Sequence, residues 1–264
     1  MPTTTTHAPG TFCWFELTTR DPETAKQFYS QIFGSEIADS PIGEGETYTI
    51  LKLAGRDAAG IGPMRDQDYP PGTPSHWMAY LAVESADATA QKVAAAGGQV
   101  LAPPFDVMEY GRMAVCADPN GGTFAIWKPK QHTGVGVTGE PGSFGWCQLN
   151  VPSGGREAAK KFYSAVFGWQ VREDAMPMGD VYTTWLGSDG PRGGMMPMTS
   201  GAREHAHWLI YFASADVDAT AAQAKALGGQ VMVPPMDIPG VGRFAVLTDP
   251  TGGVFAVVKF ARPM

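Results

Sequence analysis

Apolar and polar residues alternate with a period of two over short runs, and helical stripes interrupt them in a recurring order. Thr11–Thr18 sets Phe12, Trp14 and Glu16 on one face of an extended segment and Cys13, Phe15 and Leu17 on the other. Asp21-Pro22-Glu23 then opens a helix, with an N-capping carboxylate followed by a proline that suits the first helical position. Its apolar stripe is Ala25, Phe28, Tyr29, Ile32 and Phe33, and Gly34 ends it. Strand-like runs follow near Thr47–Leu53 and Ala59–Met64. The plan restarts with a strand at His76–Val83 and an alanine-rich helix at Ala86–Ala96, closed by Gly97-Gly98. Further strands are expected at Gln99–Leu101, Arg112–Ala117 and Thr123–Lys128. The pattern predicts an α+β protein whose unit is βαβββ.

The whole series is written twice. His76–Lys128 returns as His207–Lys259 at a constant offset of 131 residues, with about half the positions identical. Phe28-Tyr29-Ser30 with Phe33-Gly34 returns as Phe162-Tyr163-Ser164 with Phe167-Gly168, and Gly10–Leu17 matches Gly142–Leu149. Four βαβββ units in two tandem homologous domains are expected, at residues 10–130 and 142–261. The Gly-rich stretch Gln131–Pro141 links them. Such a chain is either a monomer, as a pseudo-dimer of its domains, or a homodimer. Asp118-Pro119-Asn120-Gly121-Gly122 and Asp249-Pro250-Thr251-Gly252-Gly253 read as tight turns before the last strand of each half, without chemistry of their own.

Composition narrows the function classes. The formal charge of −7 and a pI near 5.2 argue against nucleic acid and anionic membranes as partners. No apolar run approaches the roughly 20 residues that span a bilayer. The first residues, MPTTTTHAPG, read as a disordered lead without the features of a secretory signal. Cys13, Cys116 and Cys147 lie in strand-like runs and have no counterparts between repeats, so reduced thiols in a cytoplasmic protein are expected. Methionines crowd the second half at Met176, Met178, Met195, Met196 and Met198, where they could fill core gaps or line an adaptable pocket.

Paired βαβββ units, the F-Y-x-x-x-F-G helix end and the D-P-x-G-G turn together resemble the vicinal-oxygen-chelate superfamily. That superfamily includes glyoxalase I, extradiol dioxygenases and the fosfomycin- and bleomycin-resistance proteins. The likeness covers nearly all of Gly10–Phe260, twice, and looks closest to the two-domain actinobacterial glyoxalase-like and hydroxylase branch. It implies cupped mixed sheets around cavities, and a divalent metal held by His, Gln or Glu as a Lewis acid. The ligand positions that it implies fall on Trp14, Met78 and Ala125 in the first repeat and on Trp146, Leu209 and Ala256 in the second. None of these is a ligand for a hard divalent ion, so the usual metal site reads as lost.

Polar residues stand two positions away on the same strand faces: Glu16, His76, Gln148 and His207, with His205 beside the last. They are the candidate catalytic groups. A shifted site built from them would suit iron, zinc, nickel or manganese; as structural residues they would be hydrogen-bonded strand ends. Trp14, Tyr48, Tyr80, Trp146, Tyr182 and Tyr211 are candidate walls of an aromatic pocket. Arg112 and Arg243 would either grip an anionic ligand or pin the adjacent Pro-Pro segments through salt bridges. The expected function is small-molecule binding on a degenerate metal site. The alternative is a metal-dependent glyoxalase-like lyase, or a hydroxylase or dioxygenase, acting on a small dicarbonyl or aromatic substrate.

Overall fold

A computed structural model describes residues 7–43, 45–176, 181–198 and 205–262. The start of the expected lead, residues 1–6, and Met178 lie outside the described residues. The first repeat runs β1 (Phe12–Thr19), α1 (Pro22–Phe33), β2 (Glu36–Gly43), β3 (Glu46–Leu53), β4 (Arg56–Pro63), β5 (His76–Ala82), α2 (Ala86–Ala95), β6 (Gln99–Val107), β7 (Gly111–Ala117) and β8 (Thr123–Pro129). The second runs β9 (Phe144–Val151), α3 (Arg156–Phe167), β10 (Gln170–Ala175), β11 (Val181–Gly187), β12 (Gly190–Pro197), β13 (His207–Ala213), α4 (Val217–Ala226), β14 (Gln230–Ile238), β15 (Gly242–Thr248) and β16 (Val254–Phe260).

Two open eight-stranded mixed sheets result, ordered β2-β3-β4-β1-β5-β8-β7-β6 and β10-β11-β12-β9-β13-β16-β15-β14. Within each unit the first and last strands are parallel and the others antiparallel. The α+β class and the βαβββ plan are those expected from the sequence. Three details differ. β2 shows no expected alternation, because as an edge strand it is mostly exposed. β6 runs on past Leu101 through Pro103-Pro104 to Val107. An edge strand tolerates prolines whose missing N–H would face no neighbour, and its register shifts there. The Gly-rich stretch between repeats is packed: Val135 and Val137 are buried, and the Gly136 N–H donates to the Asp57 carbonyl at 2.7 Å.

The helices form as their ends dictate. The Asp21 carboxylate accepts from the Thr24 N–H at 3.0 Å, and Gly34 closes α1 in the left-handed region at φ 64°. Ser85 and Asp216 cap α2 and α4 in the same way.

The chain packs as two compact units, and each takes elements from both repeats. One comprises the residues up to Cys13 with Ala79–Gly134 and Cys147–Leu209. The other comprises Trp14–Met78, Val135–Trp146 and the residues from Ile210 onward. α2 meets α3 in the first, and α1 meets α4 in the second. The same buried chain of hydrogen bonds is built in each. In one, the Trp208 indole N–H donates to the Tyr163 hydroxyl at 3.0 Å, which donates to Asp118 Oδ2 at 3.0 Å. In the other, the Trp77 indole donates to Tyr29 at 2.9 Å, and Tyr29 donates to Asp249 Oδ2 at 2.7 Å. The remaining oxygen of each aspartate closes its own turn, accepting from the Asn120 and Gly122 N–H groups or from those of Thr251 and Gly253. The D-P-x-G-G motif is thus a turn, as expected, and also the acceptor for the tyrosine of the other repeat's F-Y motif.

Burial raises the Asp118 carboxyl above its ordinary range, and the turn N–H groups and the Tyr163 hydroxyl oppose that rise. The native chain therefore takes up this proton at a higher pH than the unfolded chain. Asp118's contribution favours the native state fully at and below the ordinary carboxylate range and is lost as pH rises from there through the raised native value. Urea unfolding should show the wild type gaining stability over Asp118→Asn as pH is lowered from neutrality towards the carboxylate range. Tyr29→Phe and Tyr163→Phe should each cost about 1–3 kcal/mol in the same assay at pH 7, because each strands a buried donor–acceptor pair.

Candidate functional site

β1 is buried along its length except at Glu16, which is half-buried. Its carboxylate belongs to a second Trp–Tyr–acid chain. The Trp14 indole N–H donates to the Tyr48 hydroxyl at 2.9 Å, and Tyr48 donates to Glu16 Oε2 at 2.6 Å. Trp14 and Glu16 are two apart on β1, so they share a face; Tyr48 comes from β3, across β4. β4 makes room for the phenol with a glycine. A side-chain carbon on Gly60 would lie 2.1 Å from the Tyr48 oxygen. At Gly62 the same carbon would lie 3.6 Å from Glu16 Oε1 and from the Tyr48 ring, which leaves an atom-sized space beside the carboxylate.

Tyr69, on the connection from β4 to β5, joins this group. Burial raises its phenol above the ordinary range and the Glu16 charge adds to that, while a hydrogen bond from Thr18 opposes both. Thr18 is two residues beyond Glu16 on the same face of β1. The Tyr69 ring also lies 5.6 Å from His76, whose Nδ1–H donates to the Pro74 carbonyl at 3.0 Å. The sequence reading missed Tyr69 because its segment, Arg65–Ser75, has no periodicity; an aromatic residue amid Pro and Asp was the only signal. The same segment helps to wall a polar cleft of about 660 Å³ lined by Arg20, Glu46, Met64, Arg65, Asp66 and Gln67. Two ion pairs cross it, Arg65 with Glu46 and Arg20 with Asp66.

The second repeat builds the matching positions differently. Gln148 Nε2 donates to Asn150 Oδ1 at 2.8 Å, and Asn150 Nδ2 donates to His207 Nε2 at 3.3 Å. Glu16, Thr18 and His76 are here an amide, an amide and an imidazole in one line. Tyr182 lies over Gly194 as Tyr48 lies over Gly60, with 1.8 Å between an added carbon and its oxygen. By register, Met196 stands where the first repeat has Gly62. His205 precedes β13 in a bend, where a side-chain carbon on Gly121 would lie 3.2 Å from its Cβ.

The remaining candidates are placed as follows. Tyr80 packs edge-on against Trp127 at 6.4 Å, and Tyr211 lies tilted against Phe244 at 6.2 Å. Trp146 is half-buried on β9. Arg112 grips Asp87 with two hydrogen bonds, pairs with Asp106 and donates to the Pro104 carbonyl. Arg243 repeats this with Asp218, Asp237 and the Pro235 carbonyl. Each guanidinium thus ties a helix start to the Pro-Pro segment of an edge strand.

A family model matches residues 11–126 and again 143–257, and its description is Glyoxalase/Bleomycin resistance protein/Dioxygenase superfamily. The chain belongs to this superfamily. It is 40% identical over 261 residues, 98% of both chains, to "Putative glyoxylase CFP32" of Mycobacterium tuberculosis. It is 36% identical over 270 residues, 97% of this chain and 95% of the other, to the anthracycline biosynthesis protein DnrV of Streptomyces peucetius. Among solved structures it is similar to the Mn(II)-bound glyoxalase from Novosphingobium aromaticivorans, with a TM-score of 0.66 and 17% identity over 97% of this chain and 84% of that one. At that identity the likeness shows the shared fold alone.

The glyoxalase from Novosphingobium aromaticivorans that shares this fold is Mn(II)-bound. Among the described residues no three of His, Cys, Asp and Glu come together in a way that could hold an ion. Of the positions that the resemblance assigns to ligands, Met78, Ala125, Leu209 and Ala256 are buried and apolar, and the Trp14 N–H is spent on Tyr48. Of the displaced polar residues, Glu16 already accepts from a phenol at 2.6 Å. Among the described residues, the positions that the resemblance assigns to ligands therefore do not fit a divalent metal.

An alanine at Gly60 or Gly194 should push Tyr48 or Tyr182 off its seat and cost about 1–3 kcal/mol of stability by overpacking. Chemical denaturation of each variant measures the loss, and a change within error would show that the phenols are free to move.

Proposed function

We propose that this chain is a small-molecule-binding protein of the glyoxalase superfamily whose usual metal site is degenerate. The observation that carries this reading is the Trp14–Tyr48–Glu16 chain. It holds an oriented carboxylate beside an indole and a phenol on the face of β1, two residues beyond Trp14, the position that the resemblance gives to a metal ligand. An apolar surround with a few convergent polar groups is the usual character of a small-molecule site. Trp14, Tyr48, Tyr80, Trp146, Tyr182 and Tyr211 supply apolar contact in this reading, and Glu16, His76, Gln148 and His207 supply polar recognition. Arg112 and Arg243 serve as pins for the edge strands. The names of the relatives, an anthracycline biosynthesis protein and a putative glyoxylase, support a small organic ligand.

A second reading is a metal-dependent glyoxalase-like lyase, or a hydroxylase or dioxygenase, on a dicarbonyl or aromatic substrate. It is favoured by the line from Gln148 through Asn150 to His207, which orients an imidazole as a second residue does at many metal and catalytic sites.

Elemental analysis separates the two. Tag-free protein from medium supplemented with iron, zinc, nickel and manganese should carry no metal above background. A stoichiometric metal, lost together with activity in Glu16→Gln or His207→Ala, would establish the lyase or oxygenase reading instead.

A further inference from the structure

The connection from β4 to β5 is fastened at both ends to one residue. The Met64 N–H donates to the Thr19 carbonyl at 2.7 Å, and the Ser75 hydroxyl donates to the Thr19 hydroxyl at 2.8 Å. All three residues are buried. Between these ends Arg65–Pro74 contains neither helix nor strand, and a compact surface loop whose ends nearly meet can swing on them. We propose that Arg65–Pro74 is a lid over the Glu16 face of β1, latched by Arg20, and that its opening admits the small molecule. This deepens the small-molecule reading and rests on it.

Backbone bonds inside the loop are local. The Asp68 and Tyr69 N–H groups donate to the Arg65 carbonyl, and the Thr73 N–H donates to the Pro70 carbonyl. Among the described residues, no backbone hydrogen bond ties Arg65–Pro74 to a strand or a helix. Side chains hold the loop down instead. Arg20 donates to Asp66 and, at 3.2 Å, to the Pro70 carbonyl, and Arg65 pairs with Glu46 on β3. Tyr69 is half-buried between the exposed Asp68 and Pro70, is hydrogen-bonded to Thr18 and feels the Glu16 charge. The latch is weak by its position: the Asp66 side chain is 91% exposed and that of Arg20 36%, and an exposed ion pair contributes little and is screened by salt. There is also space on both flanks. The cleft of about 660 Å³ borders the loop at Met64–Gln67, a second cavity of about 290 Å³ borders it at Thr73–Ser75, and Arg20 lines both. A segment with exposed tethers and few buried contacts opens at a lower free energy than the strands beneath it. Loops that close over a site in this way set its access to solvent and ligand.

The test places a thiol under the lid with Gly62→Cys. Gly62 is buried, is the register partner of Thr18 and so shares its face, and the second repeat has Met196 at this place. Reaction of the introduced thiol with iodoacetamide is followed by peptide mass spectrometry on the full-length protein, with and without Arg20→Gln. Cys13, fully buried on the other face of β1, is the internal control. Arg20→Gln should speed labelling of the introduced thiol about tenfold, and about 0.5 M sodium chloride should do the same where Arg20 is present and add nothing where it is replaced. Cys13 should stay unlabelled throughout. A rate unmoved by Arg20→Gln overturns the lid. So does a rate equal to that of a free thiol while Arg20 is present, and so does acceleration of Cys13 in step, which reports unfolding of the whole sheet. If Gly62→Cys does not fold, cleavage of the otherwise unaltered chain by endoproteinase Asp-N before Asp66 and Asp68 decides. Cleavage about tenfold faster in Arg20→Gln supports the latch, and equal cleavage overturns it. The labelling involves no ligand, so its failure leaves the small-molecule reading standing, whereas a stoichiometric metal would overturn that reading and leave the labelling result as it is.

Discussion

A tyrosine hydroxyl held between an indole N–H and a buried carboxylate joins the two repeats, and does so twice. A buried carboxylate is tolerated only if its oxygens are satisfied. Asp118 and Asp249 meet that condition in two directions at once, one oxygen closing a local turn and the other reaching a helix of the opposite repeat. Either half of the bargain alone would leave a desolvated oxygen. The turn before the last strand and the seating of the Phe-Tyr helix are therefore a single constraint. The aromatic packing follows from it. Tyr29 is ringed by Phe28, Phe33, Trp77 and Phe255, and Tyr163 by Phe124, Phe162, Phe167, Trp169, Trp185 and Trp208.

The same three chemical types recur on β1 with a different outcome. Trp14, Tyr48 and Glu16 reproduce the order indole, phenol, carboxylate, but Glu16 stays half-buried and Gly62 leaves space beside it. Where turn N–H groups and a tyrosine complete a buried aspartate, the chain is a lock. On β1 the acid is less deeply buried than the two aspartates.

Duplication lets the two roles be compared within one molecule. Arg112 and Arg243 make the same contacts in both repeats, as do the two Trp–Tyr–Asp chains. On the β1/β9 face the repeats differ at Glu16 against Gln148, Thr18 against Asn150, and Gly62 against Met196, and with them in formal charge and hydrogen bonding.

The sequence by itself determined the repeated βαβββ plan, the helix caps at Asp21 and Gly34, the turn at Asp-Pro-x-Gly and the membership of the superfamily. Each of these is set by local chemistry: side-chain alternation, capping oxygens and glycine's tolerance of positive φ. It also brought Trp14, Glu16 and Tyr48 forward, since period two places the first two on one face. It did not reveal β2, whose exposed edge has no alternation, or the Pro-Pro continuation of β6, which only an unpaired edge allows. Nor did it reveal that Tyr29 bonds Asp249 across 220 residues, or that Tyr69 sits over β1. These were decided by tertiary structure, because long-range hydrogen bonds depend on which strands become neighbours. No local pattern records the partner that a buried polar atom finds once water has been removed.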